Sequence, residues 1–282
     1  MYPNLIKIGD FTITSFGLML FLSFVTAAWV LSRELRRRGL RGEIAWDVLA
    51  WVALGGIVGA RLYYLALHVP DLLADPIGEL TSRGGLVWFG GFIGGAVAYF
   101  WQVQRRKLPL LLMFDAVAPG LALAYAVGRV GCFLVGDDYG LPTDSWVGIA
   151  FPEGLPPSTA GYLRSAGADI PASVPDAAIM KVHPTQLYEV AAGLLMFAVL
   201  SKLARRRLRP GQLWGLFLIL YGVERFLIEF VRAKTDHVLY GLTTSQIASV
   251  LVFALGVYLV ARRAPMAEGA ADPKPNAAAG AR

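Results

Sequence analysis

Apolar stretches of about the 20 residues that a helix needs to cross a hydrocarbon core recur seven times along this chain. They run roughly over 13–32, 45–68, 85–103, 110–135, 185–200, 211–231 and 244–261. With 56% hydrophobic and only 16% charged residues among 282, the chain is far more apolar than an ordinary soluble domain. The sequence therefore predicts an all-α integral membrane protein with seven transmembrane helices, occupying residues 1–263. The first run lacks a basic start and a small-residue cleavage site, so it is expected to stay as an anchor.

The net charge of +6 is explained by orientation rather than by a nucleic-acid partner. Cations cluster in alternate loops, at Arg33 to Arg41, Arg105 to Lys107, Lys202 to Arg209 and from Arg262 onward, while the opposite loops are sparse in them. The positive-inside rule then places the amino terminus outside and the carboxyl terminus in the cytoplasm. On that assignment the one long connection, 136–184, is an extracytoplasmic head between the fourth and fifth spans, and its prolines exclude a single regular element. The tail, 264–282, is rich in Ala, Gly and Pro and is expected to be disordered. One cysteine and three scattered histidines point to no metal centre and no cofactor.

Charged residues inside the apolar runs carry the functional signal, because a guanidinium in hydrocarbon costs at least a few kcal/mol unless it faces a cavity or a partner. In the sixth run Tyr221, Arg225, Glu229 and Arg232 recur at helical spacing and can share one face. Arg129, flanked by Gly128 and Gly131, lies toward the outer end of the fourth run. Each arginine offers a fixed fork of donors that matches phosphate oxygens, so Arg129 and Arg225 are read together as a phosphate clamp. Arg61 shares a face with Tyr64 and His68, and either an ion pair to Asp115 or Glu189 or a ligand contact is open to it. Asp115 is expected to be structural, and Glu224 to pair with a neighbouring helix. His183 opens the fifth run as a cap or as a general base, with Pro184 at the helix start and Thr185 as a capping residue. Asp137, Asp138 and Tyr139, at the exit of the fourth run, are expected at the same outer site. The glycines at 55, 56, 59, 84, 85, 90, 91, 94 and 95 suit close helix packing, or a backbone that admits a lipid head group or peptide.

Taken in order, several segments resemble the bacterial prolipoprotein diacylglyceryl transferase family over about residues 14–261. They are Phe16-Gly17-Leu18-Met19, the glycine pairs at 84–85 and 90–91, Asp115-Ala116-Val117-Ala118-Pro119, His183-Pro184-Thr185-Gln186-Leu187-Tyr188-Glu189, and Tyr221-Gly222-x-x-Arg225-x-x-x-Glu229-x-x-Arg232. The family signature Gly-Arg-x-Gly-Asn-Phe-x-Asn-x-Glu is half kept in 128–137, where Cys132, Val135 and Asp137 replace the two asparagines and the glutamate. Phe89 stands where family members carry a histidine, and Phe16 where they carry a tyrosine. The resemblance implies an enzyme of the bacterial inner membrane. It would transfer the diacylglyceryl group of phosphatidylglycerol to the lipobox cysteine of a prolipoprotein signal peptide and release glycerol phosphate. Its partners would be those two substrates and the surrounding membrane lipids. A divergent paralogue that acts on another lipid or acceptor, or only binds phosphatidylglycerol, is the alternative. Under the main reading Arg129, Arg225 and His183 are catalytic, and Tyr221, Glu229, Arg232, Asp137, Tyr139 and Arg61 join the two arginines in binding substrate. His183, a carboxylate such as Asp137, or the arginine field alone would activate the thiol. Covalent carriage on Cys132 is disfavoured, since a small buried side chain explains that residue.

Overall fold

The computed structural model describes residues 3–8, 11–81, 85–232, 237–239 and 241–262. The expected disordered tail, Gly84 and Arg83 lie outside the described residues. In chain order the elements are β1 (Asn4–Ile8), β2 (Phe11–Thr14), α1 (Ser15–Arg37), α2 (Ile44–Leu67), α3 (Val69–Ala74), α4 (Pro76–Thr81), α5 (Trp88–Arg105) and α6 (Leu110–Val135). Then follow β3 (Ile149–Ala150), α7 (Ala160–Ser165), β4 (Lys181–Val182), α8 (Thr185–Leu203), α9 (Gln212–Ile228) with a 3-10 turn at Glu229–Val231, β5 (His237–Leu239), β6 (Leu242–Thr243) and α10 (Thr244–Ala261).

A helix therefore occupies each of the seven apolar runs. Five of them, α1, α2, α6, α8 and α10, are long and apolar enough to cross a membrane. The other two are α5, with 18 residues, and α9, with 17. The expectation of an all-helical chain is corrected at three places, where two-stranded antiparallel pairs form: β1 with β2, β3 with β4, and β5 with β6. Residues 13 and 14, read as the start of the first span, belong to β2, and the Thr14 hydroxyl caps α1 by accepting from the Gly17 N–H at 3.1 Å.

The chain divides into two compact units, one built on Ala28–Phe114 and the other on Met1–Ala27 with Asp115–Gly269. In the first, α2 and α5 meet along their glycines. A Cβ on Gly55 would stand 2.7 Å from both the Ala98 methyl and the Gly94 carbonyl, and one on Gly59 would overlap the Gly90 carbonyl. The glycines therefore permit backbone approach, as the packing reading expected. Gly94→Leu should force the helices apart and cost about 2–4 kcal/mol by overpacking, read as a lower melting temperature in detergent.

In the second unit α6, α8, α9 and α10 share a core of Ala118, Ala122, Met196, Leu200, Leu213, Phe217, Leu218 and Leu259. Asp115, 5% exposed, accepts from the Gly211 and Trp214 N–H groups at 2.7 and 2.8 Å. It thus caps the start of α9 from another helix, where the helix dipole favours a carboxylate. Its structural reading holds. Asp115→Ala should destabilise the fold by about 2–3 kcal/mol, because it removes the carboxylate that accepts from two N–H groups at the start of α9. A melting curve indistinguishable from the parent chain would contradict that.

Residues 136–184 build a small core of their own, in which Tyr139, Phe151, Ala160, Leu163, Ala168, Ile170 and Val182 are buried. The β3 and β4 strands pair across it, and Pro142 bridges to Val182. This segment returns the chain from the end of α6 to the start of α8.

Candidate functional site

Three guanidiniums converge on one carboxylate oxygen of Glu189. Arg129 Nη2 lies 3.0 Å from Glu189 Oε1, Arg225 Nη1 3.4 Å and Arg232 Nη1 3.8 Å. Glu189 is fully buried, and its other oxygen has no hydrogen-bond partner among the described residues. It stands on the second turn of α8, while Arg225 lies in the last turn of α9 and Arg129 in α6, one turn further from its helix end. The C-terminal end of α9 favours the Arg225 cation, and the buried carboxylate between the two arginines compensates their charge.

The remaining polar groups hold the arginines in place. Arg129 Nη1 donates to Asp138 Oδ2 at 2.9 Å, and its guanidinium stands 5.4 Å over the Tyr125 ring. Arg225 Nη2 pairs with Glu229 Oε2 at 3.2 Å, one helical turn on. Glu229 in turn accepts from the Thr243 hydroxyl at 3.1 Å, and Thr243 caps α10 through a capping box with Gln246. Arg232 donates to Asp138 Oδ1, so this aspartate ties two arginines together. Its backbone is left-handed, with φ 57°, a conformation that aspartate tolerates better than most residues.

The expectation that Tyr221, Arg225, Glu229 and Arg232 share one helical face needs correction at its end. The α-helix stops at Ile228, and Arg232 is extended and bridges to Gly140. It reaches the cluster because the chain turns, not because of helical spacing. Tyr221 lies beside the cluster, with its ring centroid 5.7 Å from that of Tyr125. Glu224 does face a neighbouring helix, since the Tyr125 hydroxyl stands 3.2 Å from both of its oxygens and 3.0 Å from Glu189 Oε1.

Other expected site residues are placed differently. Tyr139 is turned into the core of segment 136–184, where its hydroxyl donates to the Pro156 carbonyl at 2.9 Å, and burial raises its phenol above the usual range. Asp137 has its carbonyl bonded by the Gln186 side chain, and burial followed by the adjacent Asp138 charge raises its carboxyl above the ordinary aspartate range. The His183 ring meets the Tyr188 hydroxyl at 3.1 Å. Thr185 does not cap α8; its hydroxyl donates instead to the Asp138 carbonyl at 2.6 Å. Arg61 belongs to the other compact unit, donates to the Gly85 carbonyl at 3.3 Å and stands 5.2 Å over the Tyr64 ring. Tyr64 and His68 stack at 4.1 Å, as their shared face requires.

Cys132 is buried and accepts a weak contact from Arg129 Nη1 at 3.7 Å. Its sulfur and one oxygen each of Asp137 and Asp138 lie within 4.8 Å of one another. Two guanidiniums already bind Asp138, which makes this a poor place for a cation.

Sequence reasoning missed Glu189 as the centre of the cluster. The available signal was its charge, one turn inside an apolar run, which by itself marks a functional candidate. Chemically, the arrangement is a set of largely buried guanidinium donors held in place by carboxylates, a geometry suited to holding an anion.

The family described as Prolipoprotein diacylglyceryl transferase matches residues 3–262. A Clostridium tetani protein named phosphatidylglycerol–prolipoprotein diacylglyceryl transferase is 28% identical over 260 residues, covering 92% of this chain and 96% of its own. Proteins of the same name from Stenotrophomonas maltophilia and Polynucleobacter necessarius are 32% and 33% identical, over 94% and 92% of this chain and 93% and 94% of their own.

Proposed function

Because this chain belongs to the prolipoprotein diacylglyceryl transferase family, we propose that the guanidinium cluster around Glu189 is where it transfers the diacylglyceryl group of phosphatidylglycerol to the thiol of a prolipoprotein cysteine. The observation that carries this reading is the meeting of Arg129, Arg225 and Arg232 at one buried carboxylate oxygen. A lipid phosphodiester presents two charged oxygens, as a carboxylate does, and on binding it takes the guanidinium donors from Glu189 Oε1, which keeps its contact with the Tyr125 hydroxyl. As the thiolate attacks the glycerol carbon, negative charge grows on the leaving phosphate, and Arg129 and Arg225 stabilise it. Glu229 and Asp138 keep the two forks aimed while the phosphate enters.

All seven long helices are read as spans, with α5 and α9 completing their crossing through flanking residues. An 18-residue helix is about 27 Å long, slightly short of a hydrocarbon core of about 30 Å. The arginine-rich loops face the cytoplasm, so segment 136–184 and the cluster beneath it lie on the outer side of a bacterial inner membrane. The lipobox cysteine of an exported precursor arrives on that side.

The test is transfer of radiolabelled phosphatidylglycerol to a lipobox peptide by the purified chain in lipid nanodiscs, together with complementation of a strain depleted of its own transferase. Label recovered on the peptide cysteine is the expected result. Label that remains entirely in lipid would overturn the assignment.

A further inference from the structure

The Tyr125 hydroxyl carries one proton and faces three carboxylate oxygens, Glu189 Oε1 at 3.0 Å and both Glu224 oxygens at 3.2 Å. One proton can satisfy only one of those contacts at a time. A proton added to either carboxylate turns a repelling contact into a hydrogen bond, so the trio is built to hold and move one more. Its two ends open onto different surroundings. Glu189 lies among the guanidiniums of Arg129, Arg225 and Arg232. Glu224 lines a cleft of about 530 Å³ between α8 and α9, and it is the one carboxylate among residues such as Tyr188, Ala192, Leu220 and Leu227.

We propose that Glu224 takes the proton of the incoming thiol and that Tyr125 passes it through Glu189 to the leaving phosphate. This rests on the transferase reading above. The S–H bond breaks as its proton moves to the Glu224 carboxylate. The sulfur then forms its bond to the glycerol carbon while the carbon–oxygen bond to phosphate breaks, and that electron pair goes to the phosphate oxygen held by Arg129 and Arg225. Glu224 returns the proton to the Tyr125 oxygen, Tyr125 gives its own to Glu189, and Glu189 protonates the phosphate. Glycerol phosphate leaves with the single negative charge that the phosphodiester had, and both carboxylates are restored. The groups that face Glu224 are Tyr125 and Arg129 from α6, Tyr188 and Glu189 from α8, and Tyr221 and Arg225 on its own helix. The α10 sequence has no charged residue and only Tyr258 that can ionise.

The experiment measures single-turnover transfer to a lipobox peptide by the full chain in nanodiscs across neutral and alkaline pH. Glu224→Gln should slow transfer roughly 10²-fold at neutral pH, the usual worth of a general base. Its rate should climb about tenfold per pH unit toward the thiol's own pKa of about 8.5, where the free thiolate no longer needs an acceptor. Glu224→Asp should recover part of the loss, and Tyr125→Phe should slow transfer in the same direction. A peptide with selenocysteine in place of cysteine is already ionised at neutral pH, so Glu224→Gln should use it at close to the parent rate. Two outcomes overturn the proposal alone: Glu224→Gln with the parent rate and pH profile, or Glu224→Gln equally slow with thiol and selenol, which marks a structural defect. A parent chain that transfers no label removes the transferase reading, and this proposal with it.

Discussion

Arg225→Lys lowers the rate of diacylglyceryl transfer by about 10²- to 10³-fold, and Arg129→Lys does the same, although each keeps its positive charge. The reason is geometric. Arg225 reaches Glu189 with one terminal nitrogen at 3.4 Å and Glu229 with the other at 3.2 Å, and Arg129 divides its fork between Glu189 and Asp138. An ammonium is a point charge and cannot keep one donor on its aligning carboxylate while aiming another at a phosphate oxygen. The loss should fall mainly on kcat, because the charge that the fork follows develops in the transition state. The double substitution should cost little more than either single one, since both arginines serve the same oxygen. Arg106→Lys is the comparison; it disturbs an ion pair with Asp47, whose side chain is 55% exposed, and a 3.3 Å hydrogen bond to Gln102, and should leave transfer within about twofold. Full activity in Arg225→Lys would separate the cluster from the chemistry.

The parts of this site that sequence exposed are those written along one helix. Arg225 and Glu229 stand one turn apart, and their pairing follows from that spacing. Arg129 announced itself as a charge between glycines in an apolar run. Spans were legible for a similar reason, since hydrophobic length is a local property and the helix in each apolar run begins within a few residues of its expected start. Contacts across helices were not legible. Glu189 could be read as a carboxylate in a membrane segment, but its three arginines come from α6, α9 and the turn after α9, and only packing decides that they share one oxygen. Arg232 looked helical because nothing in Glu229-Phe230-Val231 forbids a further turn. The bridge to Gly140 draws that backbone straight. Tyr139 illustrates the same limit: its position beside Asp138 suggested the site, while the direction of its side chain depends on the Phe151 ring it stacks on at 5.3 Å.

Glu189→Gln is expected to weaken the fold and strengthen its response to anionic lipid at once. Removing the charge leaves three largely buried guanidiniums short of their shared partner, and breaking a buried pair costs about 3–5 kcal/mol. Glutamine retains an oxygen acceptor, so the cost should sit at the lower end of that range. Phosphatidylglycerol then meets cations that no longer have a resident anion to exchange. If the mutant binds that lipid with a Kd about 100 times below the parent's, excess lipid restores about 2.7 kcal/mol relative to the parent, close to the whole deficit, so their melting temperatures should nearly meet in it. In zwitterionic phosphatidylcholine they should stay apart. Transfer itself should remain slow, because the neutral amide can neither receive a proton from Tyr125 nor give one to phosphate. The decisive measurement is the difference between the two lipids: a Glu189→Gln chain that melts equally far below the parent in both would mean that the arginines hold the protein together without receiving a phosphate.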